Sequence, residues 1–355
     1  MDSIDGQFAS GVALVRAGQA DTARRRLGAR LPVHVLSERT MNDLVLVIND
    51  AELARVSALP QFQTTARGLA AYAAAEGERR DVIGRELRDV PRVICAILAL
   101  YLDSTAGGLT HSRLEAVSDL VGAGGRARAH ALIAFMRFLG FIEPDPIAGD
   151  GRERRYRPLP RMREAFLRYV SDYLELVVPI CPQATEVGDL LKTRERFEDF
   201  MAVTGESFLV GAMAYRAAFT EPSPMDLYSR RRSGMAMLWS LLLSAPDEVH
   251  WPPRDWIAIN VTEIARRSGA SRTHVQRMLR DSASAGHLVV DTERGVQVSD
   301  LLRHHVNAYL GVMIMCFGYF TRRVLADRTR DAPDRRRRPH QPAAGAGERP
   351  GAAAP

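Results

Sequence analysis

The chain has 355 residues, of which 46% are hydrophobic and 25% charged, and its formal net charge is +6. This length allows about two or three domains with a large core, and the composition is that of an ordinary globular protein. Cys95, Cys181 and Cys316 stand alone, without a Cys-x-x-Cys pair or histidines at zinc-binding spacing, so a zinc site is excluded.

Residues 1–85 are rich in Ala and Arg and are predicted to form an N-terminal helical region. Apolar spacing predicts helices around Phe8–Leu27, Glu38–Ser57 and Gln63–Ala75. We expect these helices to act as a cap or as a dimerisation element. The acidic start of the chain is unlike the basic opening of a signal peptide, and we therefore expect a cytoplasmic protein.

The next segment, residues 86–180, is predicted to form a first unit of helices followed by a β-hairpin. Pro91–Leu102 is apolar enough for a buried helix, and a second helical pattern ends at the glycine-rich turn 122–125. A third helix ends at Gly140, and two short strands then flank a turn at Gly149–Gly151. A long amphipathic helix follows the hairpin.

Residues 181–228 read as a helical connector, with helical patterns around Phe197–Met201 and Phe208–Phe219. The Pro pair in the sequence Glu221-Pro222-Ser223-Pro224 is the best linker candidate. Arg230–Leu243 is predicted to be the first helix of a second unit that spans residues 229–326.

The second unit has the same order of elements. A short helix ends at Ser268-Gly269-Ala270, and Ser271 is a suitable N-cap for the next helix, which ends before Gly286. The apolar strands on either side of the turn 291–295 predict a β-hairpin. When Gly140 is superposed on Gly286, the two units align at an offset of 286 − 140 = 146 residues, with a one-residue gap in the turn. This offset pairs Leu132 with Met278, and we infer an internal duplication.

The segment from Asn260 to Ser299 resembles the winged-helix half of the cyclic-AMP receptor family and, more loosely, the multiple-antibiotic-resistance regulators. The likeness is carried by Glu263-Ile264-Ala265, the Gly-x-Ser-Arg sequence at 269–272 and the hairpin after Gly286, over about forty residues. No cyclic-nucleotide β-roll is visible upstream. The resemblance implies a mainly α protein with two tandem winged helix-turn-helix domains, each with a β-hairpin wing, plus additional helices.

In such a domain the helix that begins at Ser271 lies in the major groove of DNA and reads bases from its N-terminal end. Its polar face supplies the predicted base and phosphate contacts, which are Ser271, Arg272, Thr273, Gln276, Arg277 and Arg280. The alternative is that these residues are only solvated helix formers. The Ser-Arg-Thr start after a glycine turn favours contact with double-stranded DNA.

The equivalent helix of the first unit offers few donors besides Arg126, but its hairpin carries Arg152, Arg154 and Arg155. We therefore expect a division of labour, in which the second unit reads bases through its helix and the first binds phosphates or the minor groove through its wing. The two units together would act as a pseudo-dimer on duplex DNA.

No enzyme, cofactor or metal site is predicted, because the chain has neither a Gly-x-Ser-x-Gly nor a His-Glu-x-x-His motif and the glycines at 122–125 lack a following Lys-Ser/Thr. Ala308–Phe320 is too short to span a membrane and predicts a packed helix or a dimer seam. A homodimer is therefore expected through either the N-terminal or the C-terminal helices. Residues 327–355, which are rich in Arg, Pro and Ala, are predicted to be disordered.

The leading interpretation is a bacterial-type, sequence-specific transcriptional regulator. Two alternatives remain open at this point. A plasmid replication initiator also has tandem winged helices and predicts iterated binding sites near an origin. A protein-interaction or scaffold module would use the same fold to hold proteins, and the alanine-rich helix of the first unit fits that alternative better than the arginine-rich helix of the second.

Overall fold

The computed structural model describes residues 48–75, 83, 87, 90–105, 107–146, 154–218, 223–246 and 250–334. The prediction of a mainly α protein is confirmed. The predicted helix at Phe8–Leu27 and the hairpin tip at Gly149–Gly151 lie outside the described residues. So do Arg152 and residues 335–355 of the predicted tail. Within the described ranges, no helix is both long and apolar enough to cross a membrane.

Among the described residues, two helices precede the first unit, α1 (Asp50–Ser57) and α2 (Phe62–Ala74). The side chain of Asn49 begins α1 by accepting a hydrogen bond from the backbone N–H of Glu52 at 3.0 Å. α2 buries an apolar side that includes Phe62 and Leu69. The N-terminal helices are thus packed onto the rest of the chain.

The first unit contains the predicted helices and hairpin strands in the predicted order, together with a short strand, β1, that the sequence did not predict. They are α3 (Val90–Asp103), β1 (Leu109–Thr110), α4 (His111–Leu120), α5 (Arg126–Phe138), β2 (Ile142–Pro144), β3 (Arg155–Pro158) and α6 (Pro160–Val177). The strands form an antiparallel sheet in the order β1-β3-β2, with Leu109 opposite Tyr156 and Ile142 opposite Pro158. α3 is apolar on all sides and is buried throughout Cys95–Leu102, as expected for the central helix of a core.

The connector consists of α7 (Ala184–Leu190) and α8 (Arg194–Ala218). α8 is one continuous helix, whereas the sequence predicted two helical patterns. It packs against α3 of the first unit. The short helix α9 (Asp226–Ser229) follows the predicted linker.

The second unit repeats the arrangement of the first. It contains α10 (Gly234–Leu242), α11 (Val261–Ser268), α12 (Arg272–Ser284), β4 (Leu288–Asp291) and β5 (Gly295–Val298). Ile257 pairs with Val296 of β5 through two backbone hydrogen bonds of 2.7 and 2.9 Å. The order Ile257-β5-β4 therefore matches the order β1-β3-β2 of the first sheet.

The helix α10 begins four residues later than the predicted Arg230 start. Ser233 has a left-handed backbone conformation with φ of 55°, which interrupts the helix, and Gly234 lies against the backbone carbonyl of Tyr228. A Cβ at position 234 would be closer than 3.0 Å to that carbonyl. This contact between α9 and α10 depends on the tertiary fold, and sequence spacing could not reveal it.

The helices α5 and α12 are both 13 residues long. Their first residues, and likewise their last residues, are separated by the predicted offset of 146. The buried side chains also correspond: Ala129, Leu132, Ile133 and Met136 on α5 match Val275, Met278, Leu279 and Ser282 on α12. Both helices end at a left-handed glycine, Gly140 with φ of 65° and Gly286 with φ of 71°. The two units therefore share one local fold.

The C-terminal helix α13 (Asp300–Asp334) holds the two units together. It packs against α1, α2, α6, α7 and α8, and the ring of Phe317 stacks on Tyr173 of α6 at 5.5 Å. The apolar residues of Ala308–Phe320 are largely buried within the chain. Of the two predictions for this segment, a packed helix and a dimer seam, this burial favours the packed helix. α13 continues to Asp334, so it includes residues 327–334 of the predicted tail. No Gly or Pro interrupts the helix between Gly318 and Pro333.

Candidate nucleic-acid interface

The turn between α11 and α12 fixes where α12 begins. Gly269 has φ of 62°, and the N–H of Ala270 donates to the carbonyl of Ala265 at 3.0 Å, which closes α11. The side chain of Ser271 then accepts a hydrogen bond from the N–H of His274 at 3.2 Å. Because both helix ends are satisfied locally, the start of α12 is held at the surface in a defined direction.

One side of α12 is buried and the other is exposed. The buried side carries Val275, Met278 and Leu279. All six residues that the sequence predicted as DNA contacts are exposed, namely Ser271, Arg272, Thr273, Gln276, Arg277 and Arg280. We call this set the α12 face. The structure therefore brings the predicted second-unit site residues together on one solvent-facing surface.

The arginines of the α12 face are free of salt bridges to any carboxylate that the structure describes. The neighbouring helix α11 is different. There Arg266 and Arg267 both bind Glu263 at 2.7 Å, and the Arg266 hydrogen bond lowers the pKa of Glu263 to about 2. The cations of α11 are thus neutralised within the helix, whereas those of α12 are available to a ligand.

The segment before α10 is anchored to α12 by one arginine and brings a second, exposed arginine close to it. Arg231 binds Asp281 of α12 at 2.7 Å, and Arg232 is exposed close by. Burial lowers the pKa of His274, and the nearby charges of Arg231, Arg277 and Arg232 lower it further. Sequence reasoning missed Arg231 and Arg232 as part of this surface, although the run of three arginines at 230–232 was a visible signal.

The hairpin of the second unit, formed by β4 and β5, has an ordered tip. The carboxylate of Asp291 accepts hydrogen bonds from the N–H groups of Glu293 and Arg294, each at 2.8 Å, and these bonds lower its pKa. The guanidinium of Arg294 lies 5.7 Å from the ring centre of Trp256. The sequence did not point to Trp256, since it lies outside the hairpin.

The equivalent face of the first unit is different in chemistry. Arg126 is exposed at the start of α5, but most of the positions that follow are alanines, and the ring of His130 stacks on His111 at 4.3 Å. Phe138, at the end of the same side, is 84% exposed. At the positions that match Arg277 and Arg280 of α12, this helix therefore has Ala131 and Ala134, although it also exposes Arg128 and Arg137.

In the first hairpin, Arg154 and Arg155 are exposed as predicted. The neighbouring Arg157 binds Glu143 on β2 at 2.6 Å and is thereby partly neutralised. Arg154 and Arg155 lie on this first hairpin, separate in sequence from the α12 face.

Within the described part of the chain, no group of three or more His, Cys, Asp or Glu side chains is placed to hold a metal ion. Comparison with protein-family models, with curated proteins and with solved structures gave no match to this chain. Function is therefore inferred from the geometry of the α12 face and of the two hairpins.

Proposed function

We propose that this chain is a sequence-specific DNA-binding transcriptional regulator built from two winged helix-turn-helix units. The observation that carries the proposal is the α12 face, a row of exposed and unneutralised donors at the N-terminal end of the second helix of a helix-turn-helix. The order of helices and strands in both units, and the pairing of Ile257 with the second hairpin, are those expected of winged helices.

The chemistry of the α12 face fits the edges of bases in the major groove. An arginine can donate two hydrogen bonds to guanine, and a glutamine can pair with the donor and acceptor of adenine. Arg272 and Gln276 are one helical turn apart and so lie on the same side of α12. Arg232, which is exposed beside the helix, is suited to a phosphate contact that sets its orientation.

The first unit has a supporting role in this proposal. Arg154 and Arg155 on its wing are suited to phosphates or to the minor groove, which carry little base information. The two units of one chain then contact one duplex as an unequal pseudo-dimer. Sequence preference comes from the second unit, and part of the salt-dependent affinity comes from the first.

The test is selection of genomic DNA fragments with the purified full chain, followed by fluorescence anisotropy on the enriched sequences. We expect a defined motif, and we expect Arg272→Ala and Gln276→Ala each to weaken binding to that motif by about 1–3 kcal/mol. Arg266→Ala is the matched control, because Arg266 is an exposed arginine on the adjacent helix that is already bound to Glu263.

A protein that retains no DNA fragment, or that binds equally well after both substitutions on α12, contradicts the proposal. A protein-interaction module would then be the better assignment, and the exposed apolar side of α5 is the observation that favours it. Enrichment of iterated sites clustered at one locus would instead indicate a replication initiator with the same DNA-binding geometry.

A further inference from the structure

The three consecutive arginines before α10 lie in three different environments. Arg230 is exposed, and its guanidinium lies 3.7 Å from the carboxylate of Asp226, one turn earlier in α9. The side chain of Arg231 is only 27% exposed and binds Asp281 of α12 at 2.7 Å. Arg232 is exposed and makes no salt bridge to a carboxylate in the described part of the chain. Neighbouring side chains of the same chemistry are therefore placed for different tasks.

The backbone from which these arginines project is held in a defined shape. The N–H of Arg231 donates to the carbonyl of Tyr228 at 3.2 Å, and the N–H of Gly234 donates to the carbonyl of Arg231 at 3.0 Å. Ser233 is buried and left-handed, and Gly234 lies against the carbonyl of Tyr228. Two successive turns thus form a rigid corner, residues 228–234, and the ion pair of Arg231 with Asp281 joins this corner to α12.

The first unit has a contact at the corresponding place. Asp281 of α12 matches Phe135 of α5, since 281 − 135 = 146. The guanidinium of Arg92, in the first turn of α3, lies 5.5 Å from the ring centre of Phe135. In both units an arginine at the start of the first helix contacts the same position of α5 or α12, through a ring in one unit and a carboxylate in the other. A contact with the same placement and different chemistry is suited to fixing the direction of the helix.

We propose that Arg231 is a positioning residue of the DNA-binding site, whose ion pair with Asp281 holds the corner against α12 and thereby sets Arg232 beside the reading helix. This role rests on the proposed function, because a DNA contact can be positioned only if α12 binds DNA. Arg232 meets a phosphate next to the base pairs that α12 reads, and Arg231, already neutralised, supplies orientation.

The surroundings of His274 locate Arg232 close to the α12 face. Burial lowers the pKa of His274, and the charge of Arg232 is among the nearby charges that lower it further. His274 is in the first turn of α12, where its N–H is bound by Ser271 at 3.2 Å. Arg232 therefore lies near the end of α12 that enters the groove.

The sign of a charge effect separates positioning from simple electrostatics. Asp281 is a carboxylate with 39% of its side chain exposed, on a helix that binds phosphates. Removing its negative charge should strengthen DNA binding if charge alone matters. If Asp281 instead holds Arg231, its removal releases the corner, Arg232 loses its place and binding weakens.

Fluorescence anisotropy of the full chain, on a labelled duplex carrying the motif that the wild-type chain selects, tests the inference across salt concentrations. We expect Asp281→Asn, Arg231→Gln and Arg232→Gln each to weaken binding about tenfold. Each should also lower the slope of log affinity against log salt by about 0.9, the share of one phosphate. Arg230→Gln is the matched control and should change neither quantity, because Arg230 is paired within α9.

Two double variants test the coupling between these residues. Arg231→Gln with Arg232→Gln should bind as well as Arg232→Gln alone, since both substitutions remove one contact. Arg231→Asp with Asp281→Arg keeps the total charge and restores the ion pair, so its affinity should return towards that of the wild type. Urea unfolding checks that every variant is folded under the assay conditions.

Unchanged or tighter binding by Asp281→Asn overturns the inference. So do additive losses from the substitutions at Arg231 and Arg232, which would make both arginines independent DNA contacts. In these cases the wild-type chain still selects its motif and the proposed function stands. If the wild-type chain selects no motif, the proposed function fails and the positioning role fails with it.

Discussion

Replacing Gly295 by Ala should detach the second wing from the body of its unit. Gly295 has φ of 102°, and a Cβ at this position would lie closer than 3.0 Å to the backbone carbonyl oxygen of Ile257. To relieve that contact, the pairing of Ile257 with Val296 must open, and this pairing consists of two backbone hydrogen bonds of 2.7 and 2.9 Å. The substitution therefore affects the link between the hairpin and the strand segment that precedes α11.

The cost can be estimated from these contacts. A non-glycine residue in a left-handed conformation costs about 1–2 kcal/mol, and each lost backbone hydrogen bond costs about 1 kcal/mol. We expect Gly295→Ala to lower the free energy of unfolding by about 3–4 kcal/mol. Gly286→Ala is the matched control, because Gly286 has φ of 71° but no atom within 4 Å of an added Cβ. It should cost only about 1 kcal/mol.

The assay is urea unfolding followed by tryptophan fluorescence. All three tryptophans of the chain, at positions 239, 251 and 256, belong to the second unit, so the signal reports on that unit. If Gly295→Ala costs no more than Gly286→Ala, the wing is not held by Ile257 and the reasoning is refuted. If both lose about 1 kcal/mol, only backbone conformation matters at position 295.

Three further predictions concern the cap of α12, the first wing and the pH dependence. Ser271→Ala should lower the free energy of unfolding by about 1 kcal/mol. Ser271→Asp should retain the cap yet weaken DNA binding through repulsion of phosphate, and equal binding by both variants would contradict a DNA contact. Arg154→Ala with Arg155→Ala should reduce the slope of log affinity against log salt by up to about 1.8 without altering sequence preference; a shifted preference would contradict the proposed division of labour. Burial lowers the pKa of His305 to about 4 from 6.5, so the unfolded chain takes up a proton first as the pH falls. The contribution of His305 to stability should be complete above about pH 6.5 and should decrease towards pH 4, and His305→Gln should remove this decrease.

The parts of the fold that the sequence predicted are those encoded by local interactions. A helix cap satisfies backbone groups that lie within a few residues of it, so its position can be inferred from spacing alone. This holds for the N-cap Ser271 and for the left-handed glycines at the C-terminal ends of helices, Gly140 and Gly286. The same reasoning located the duplication, because these signals recur at a constant offset. The exposed donors of α12 followed from the periodicity of a helix with one buried side.

The features that sequence reasoning missed depend on contacts between distant segments. Arg231 reaches α12 through Asp281, fifty residues further along the chain, and Trp256 meets Arg294 from outside the hairpin. Sequence reasoning missed the exposure of Phe138 for a different reason. An apolar residue on an amphipathic helix is expected to be buried, and only the structure distinguishes a core residue from one that faces solvent.

The duplication provides an internal comparison between the requirements of the fold and those of function. The buried positions and the glycine stops of α5 and α12 correspond, so the two helices meet the same structural demand. Their exposed sides nevertheless differ at matched positions, where Arg277, Arg280 and Ser284 of α12 correspond to Ala131, Ala134 and Phe138 of α5. If both sides were only solvated surface, neither apolar enrichment on α5 nor unpaired positive charge on α12 would have a physical reason, since exposed apolar side chains promote association and clustered cations repel one another. The divergence at matched positions therefore points to two different ligands for two copies of one fold.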